Sequence, residues 1–293
     1  MKGFRGLGVA VVTPFKNDTS IDFAAMGKII DHVIKGGVNY IVLLGTTGEA
    51  STLSRDEKSA LVSFVTESVD KRLPVVLGVG GNSTLEVISS IKKINFEGID
   101  AVLSVVPYYN KPGQKGLYQH FRQISASSPV PVILYNVPSR TGANLLPETC
   151  LELAHDCENI IGVKEASGNI EQIMRIIRDK PDNFLVISGN DMDALPVIAS
   201  GGSGLISVLA NAFPADWSEM VSQSLKSNFK VAREIHFRYM EMIELLFADG
   251  NPAGVKVMMN SLGLCQNALR LPLTPVNRSV AARITKAVEQ IKK

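Results

Sequence analysis

Cysteine is scarce in this chain. The three thiols, Cys150, Cys157 and Cys265, are an odd number and show no metal-ligand spacing. That excludes a disulfide scaffold, implies no metal site, and predicts reduced thiols in a cytoplasmic protein. An excess of one charge is also missing: 30 basic residues stand against 28 acidic ones, a net +2 with no polybasic tract. Nucleic acid or an anionic membrane is therefore not expected as the main partner. Long apolar runs are missing too. The first, Leu7 to Val12, stops at Thr13-Pro14, too short for a signal peptide. The charge-free stretch Ala194–Ala215 contains Pro196, Gly201-Gly202-Ser203-Gly204, Asn211 and Pro214. These break a spanning helix and predict a buried helix, a turn and a buried strand. Finally, no Gly-rich dinucleotide fingerprint follows the first apolar run.

What is present is a 45% hydrophobic chain of 293 residues, enough for a large core. Short β-branched runs recur at 8–13, 40–44, 75–79, 101–106, 132–135, 160–164, 185–188 and 205–208. They are uniformly apolar rather than alternating, which marks strands buried on both faces in a parallel sheet. Helical patterns lie between them. Ser54-x-x-Glu57 and Ser83-x-x-Glu86 read as capping boxes, and Pro147 suits a first helical turn. Eight strands alternating with helices predict an α/β fold, a closed (β/α)8 TIM barrel, with a doubly wound sheet as the alternative. After Val208 the strand signal stops. The barrel is placed at 1–224 and a helical C-terminal extension at 225–293, with one amphipathic helix around Val231–Phe247.

Catalytic groups of such barrels sit at the C-terminal strand ends. Those ends read Gly45-Thr46-Thr47-Gly48-Glu49, Pro107-Tyr108-Tyr109-Asn110, Tyr135-Asn136-Val137-Pro138-Ser139-Arg140, Lys164-Glu165-Ala166 and Ser188-Gly189-Asn190-Asp191. Lys164 closes the run Ile160-Ile161-Gly162-Val163. Alternation puts Ile160, Gly162 and Lys164 on the barrel-interior face, and Ile161, Val163 and Glu165 against helices. A desolvated lysine amine attacks a ketone or aldehyde to give a Schiff base. The bland alternative is an ion pair with Glu165 or Asp191. Imine chemistry needs proton transfers, which the Tyr135 phenol and the Thr46 and Thr47 hydroxyls could relay. N–H groups of the Gly45–Gly48 turn could hold a small carboxylate, and Arg140 a second one. Each also has an ordinary role as packing, turn or surface residue.

At these residues the sequence closely resembles the dihydrodipicolinate synthase (4-hydroxy-tetrahydrodipicolinate synthase) family of the pyruvate-dependent class I aldolase superfamily. The matching stretches include Gly45–Glu49, Pro107–Pro112, Tyr135–Gly142, Gly162–Ala166, Ser188–Asp191, Gly204–Val208 and Leu271–Pro275. The resemblance implies a lyase that condenses pyruvate with L-aspartate 4-semialdehyde in diaminopimelate and lysine biosynthesis, without a cofactor. It implies Lys164 as the imine lysine and Tyr135, Thr46 and Tyr109 as the relay, with Tyr109 crossing from a neighbouring subunit of a homotetramer. Thr46 and Thr47 would hold the pyruvate carboxylate and Arg140 that of the semialdehyde, with Gly189 and the Ile206 carbonyl close by. An inhibitor site for lysine would involve Ala50, Ser51, Asn82, Glu86 and Tyr108. Arg55 and Lys58 depart from the histidine or glutamate of lysine-inhibited members. Two rivals remain: another pyruvate-dependent aldolase, such as an N-acetylneuraminate or 2-keto-3-deoxy-sugar lyase, and a phosphate-binding barrel using Gly201–Gly204.

Overall fold

The computed structural model describes residues 2–291. The strands are β1 (Gly6–Ala10), β2 (Tyr40–Leu43), β3 (Val75–Gly78), β4 (Ala101–Val105), β5 (Val132–Asn136), β6 (Ile160–Glu165), β7 (Leu185–Ser188) and β8 (Gly204–Ser207). Each pairs in parallel with its neighbours in the chain, and β8 pairs back to β1, closing the barrel. Around and after it run α1 (Phe23–Lys35), α2 (Arg55–Val69), α3 (Thr84–Ile91), α4 (Gln114–Ser127), α5 (Pro138–Thr141), α6 (Pro147–Asp156) and α7 (Ile170–Asp179). Then come α8 (Ala194–Ala199), α9 (Pro214–Leu225), α10 (Phe229–Arg238), α11 (Met240–Phe247), α12 (Ala253–Ser261) and α13 (Arg278–Ile291). None is long and apolar enough to cross a membrane.

The near-uniform apolar strands are explained by two cores. Outward residues such as Leu7, Ile41, Val132 and Val163 pack beneath the helices. Inward residues such as Tyr40, Val76, Leu103, Ile133, Ile187 and Ile206 fill the barrel itself. Both strand faces therefore leave water, and no polar alternation survives.

Four local expectations are corrected. The first strand runs over Gly6–Ala10 rather than 8–13: its start pairs Gly6 and Leu7 with Gly204 and Leu205, and past its end the Val12 N–H turns to Asn211 Oδ1 at 3.1 Å. Ile160 packs outward and Ile161 inward, the reverse of simple alternation. The cause is a register shift: Val132 pairs with Ile160 but Ile133 with Gly162, so Ile161 is the extra residue of a bulge. The helix expected at Val231–Phe247 is two helices, broken at Tyr239, whose phenol donates to the Asp216 carboxylate on α9. Ser54 and Glu57 form a complete capping box, whereas at α3 only the Ser83 side chain caps, through a 3.5 Å bond from the Glu86 N–H.

Candidate active site

Parallel pairing brings the ends of β5 and β6 together. Tyr135 stands opposite Lys164, and Asn136 opposite Glu165. On the helix side, Glu165 Oε2 accepts from Asn136 Nδ2 at 3.1 Å and from Gln172 Nε2 at 2.9 Å, and Oε1 accepts from the Ser167 N–H at 2.7 Å. Burial pushes the Glu165 carboxyl pKa up against the pull of these donors. The network ties the two strand ends from behind.

On the inner side, Lys164 is 6% exposed, and its Nζ lies 4.2 Å from the centre of the Tyr135 ring. Among the described residues no carboxylate lies within 4.0 Å of Nζ. Glu165 is occupied as above. Asp191 accepts from Ser207 Oγ, the Val208 N–H at 2.9 Å and Trp217 Nε1 at 2.7 Å. The structural ion pair is thus excluded for both proposed partners. Gly189 supplies room: a Cβ there would sit 3.0 Å from Lys164 Cε and 2.7 Å from Ala166 Cβ.

A cavity of about 360 Å³ opens beside Nζ, lined by Thr46, Thr47, Tyr135, Arg140, Lys164 and Gly189, with Phe247 at the end of α11 and Asn251 in the turn before α12. Thr46–Gly48 forms a single 3-10 turn whose ladder bonds come from the N–H groups of Gly48 and Glu49, leaving those of Thr46 and Thr47 outside it. Arg140 sits exposed on α5, with no carboxylate within 4.0 Å among the described residues.

Three residues here were not singled out from sequence. Asn251 Nδ2 donates to Thr47 Oγ1 at 3.0 Å. Lys256 and Glu49 form an ion pair with both side chains 0% exposed. Lys256 had a legible signal, as the lone charge in Ala253–Met259. Asn251 had none, because its partner is 204 residues away.

Other expected residues fall elsewhere. Ile206 is buried within β8, and its side chain belongs to the barrel interior. Tyr109 is 88% exposed and does not line the cavity. Ala50, Ser51, Arg55, Lys58 and Tyr108 line a larger groove of about 1540 Å³, which shares Thr46, Tyr135 and Arg140 with the cavity. Asn82 and Glu86 are not in its wall, although the Asn82 carbonyl accepts from Asn110 Nδ2 at 2.9 Å. The Gly201–Gly204 run serves packing: a Cβ on Gly204 would lie 2.0 Å from the Gly6 carbonyl oxygen. All three cysteines are buried free thiols.

A sequence model of the dihydrodipicolinate synthetase family matches residues 3–291. The chain is 50% identical over 293 residues to a 4-hydroxy-tetrahydrodipicolinate synthase of Flavobacterium psychrophilum, covering 100% of both. The fold superposes on the crystal structure of a dihydrodipicolinate synthase from Thermotoga maritima with a TM-score of 0.96, at 39% identity and 98% coverage of each chain. It also superposes on a chloride-inhibited dihydrodipicolinate synthase from Acinetobacter baumannii complexed with pyruvate. There the TM-score is 0.95 and the identity 37%, with 98% of this chain and 99% of that one covered.

Proposed function

The chain belongs to the dihydrodipicolinate synthetase family, and from that premise we propose how its own residues carry out the reaction. It is an enzyme that condenses pyruvate with L-aspartate 4-semialdehyde to 4-hydroxy-tetrahydrodipicolinate, in lysine and diaminopimelate biosynthesis.

Lys164 is the nucleophile. Its amine attacks C2 of pyruvate, and the carbinolamine loses water to give an imine. Loss of a methyl proton gives the enamine, whose carbon attacks the aldehyde carbon of the second substrate. The amino group of that adduct then attacks C2, closes the ring and releases Lys164. One water leaves overall, in the imine step. The covalent imine serves as the electron sink, in place of a cofactor.

The remaining roles follow from position. Thr46 and Thr47 offer two hydroxyls and two N–H groups outside the ladder of their turn to the pyruvate carboxylate. Tyr135, beside Nζ, moves the protons of carbinolamine formation and dehydration together with Thr46. Arg140, which has no carboxylate within 4.0 Å among the described residues, takes the carboxylate of the semialdehyde through its planar fork. Gly189 and the Ile206 carbonyl border the path of the incoming amino group. Tyr109 completes the relay from a neighbouring subunit. Its 88% exposure in one chain suits a residue that acts across an interface of a homotetramer. The enzyme works in the cytoplasm.

The observation that carries this reading is the unpaired Lys164 Nζ over the Tyr135 ring at the cavity wall. Borohydride reduction with pyruvate, followed by peptide mass analysis, tests it. Label on Lys164 is expected, and label elsewhere overturns it. Arg140 separates this reading from the other pyruvate aldolases: condensation with aspartate semialdehyde should far exceed cleavage of sialic acid.

A further inference from the structure

We propose that the C-terminal extension is part of the pyruvate site: Asn251 sets the direction of the Thr47 hydroxyl, and the buried Lys256–Glu49 pair sets the turn that carries it. The inference rests on the reading above that Thr46 and Thr47 hold the pyruvate carboxylate.

The Thr47 hydroxyl has one proton to donate. Asn251 Nδ2 donates to Thr47 Oγ1 at 3.0 Å, so the proton must point away from Asn251. Among the described residues Thr47 donates to no protein acceptor, although it is only 2% exposed. Both Thr47 and Asn251 line the cavity. The hydroxyl proton is thus presented to a bound anion before that anion arrives, which saves the cost of ordering it on binding.

The turn is held from the same side. Glu49 has φ +51°, a left-handed conformation that a non-glycine residue keeps only where its surroundings hold it. Its carboxylate pairs with Lys256 on α12 and accepts from the Arg270 N–H at 3.3 Å. Lys256 Nζ also donates to the Ala268 carbonyl at 2.8 Å and lies 4.3 Å from the centre of the Phe15 ring. A fully buried ion pair seldom beats an apolar pair in stability, because desolvation offsets the attraction. What it does supply is a fixed geometry. Here that geometry joins α12 to the residue immediately after the Thr46–Gly48 turn.

The test uses the full-length enzyme with three changes: Asn251→Ala, Asn251→Asp, and the double change Lys256→Met with Glu49→Gln, which removes both charges together. Steady-state kinetics are measured for each substrate, with borohydride trapping at saturating pyruvate and thermal melts to establish folding. Each variant is expected to raise the pyruvate KM about tenfold or more, moving the semialdehyde KM far less and still trapping imine at saturation. Asn251→Asp should be worse than Asn251→Ala, because a carboxylate would accept the Thr47 proton and repel the substrate anion. A purely structural role would not produce that order. Should the double variant fail to fold, the two Asn251 variants decide alone: a raised pyruvate KM supports the inference, and an unchanged one overturns it. A parent enzyme that traps no pyruvate overturns the site reading and this inference together. A parent that traps it normally, with folded variants that match it, overturns this inference alone.

Discussion

Tyr135 and Lys164 face each other across the β5–β6 pair, with the lysine Nζ 4.2 Å from the centre of the phenol ring. The proposed nucleophile and proton carrier are thus set side by side by one register of a parallel ladder. Removing the amine and removing the hydroxyl should therefore differ. Lys164→Ala is expected to abolish imine trapping and lower kcat by several orders of magnitude, with the fold retained. Tyr135→Phe keeps the ring beneath Nζ and loses only the hydroxyl proposed to carry protons. It should still trap pyruvate, at a rate about 10²–10⁴-fold lower. Equal trapping rates in Tyr135→Phe and the parent would remove Tyr135 from the relay.

Arg140 stands on the short helix α5, one turn beyond Tyr135, and is exposed at the cavity. Arg140→Ala should weaken use of aspartate semialdehyde far more than use of pyruvate. Losing a charge-assisted pair to a carboxylate costs about 1.5–3 kcal/mol, or roughly 10–150-fold. Competitive inhibition by four-carbon dicarboxylates gives an independent reading of the same loss. Unchanged semialdehyde kinetics would assign the second carboxylate to another residue.

How far sequence reaches is visible in β6. Lys164 was legible because a charge at the end of a buried run has few uses there, and alternation placed it inside the barrel. The same alternation misplaced Ile160 and Ile161, since a bulge leaves no mark in a run of interchangeable apolar residues. Glu49 read only as part of a turn, because its partner Lys256 is 207 residues away. The stretch Val231–Phe247 reads as a single amphipathic helix. The break falls at Tyr239, whose phenol bonds Asp216 on α9, 23 residues away. Local chemistry was readable, then, and long-range pairing was not.

Tyr109 tests assembly. Tyr109→Phe and Tyr135→Phe chains, each of low activity, should regain activity when mixed and allowed to exchange subunits. In a mixed pair, one site receives both hydroxyls if Tyr109 crosses the interface. Exchange is verified by native mass spectrometry of differently tagged chains. No gain after verified exchange would place both tyrosines in one subunit's site.

His120 gives a pH prediction away from the site. Its Nδ1 lies 2.8 Å from Thr84 Oγ1, while its Nε2 is buried without a partner. Burial pushes its pKa down to about 4, below the ordinary 6.5. Above pH 6.5 the ring is neutral in both folded and unfolded chains and adds nothing. As pH falls from 6.5 to about 4, the unfolded chain takes a proton that the folded chain refuses. Stability should then drop by up to about 3 kcal/mol, levelling off below pH 4. His120→Gln should flatten this part of the denaturation profile. A slope identical to the parent's between pH 6.5 and 5 would refute the assignment.

Feedback by lysine is the last test, and it turns on Arg55 and Lys58. Both line the groove that also holds Ala50, Ser51 and Tyr108 and opens to Thr46 and Arg140. Free lysine brings two ammonium groups and one carboxylate, a net +1. Tyr108 in the wall could donate to the carboxylate, while Glu86, outside the wall, leaves the ammonium groups without that partner. Two fixed cations in the wall oppose binding. At about 6 Å and an effective dielectric near 20, one like-charge pair costs about 2.8 kcal/mol before salt screening. Both side chains are long enough to swing toward water, which cuts the cost. A third of it still weakens binding about fivefold. Inhibition should therefore be weak or absent at about one millimolar lysine. It should strengthen in an Arg55→His, Lys58→His double variant, where two largely neutral rings replace two full charges at pH 8. An inhibition midpoint well below one millimolar in the parent enzyme would show that Arg55 and Lys58 do not guard the groove.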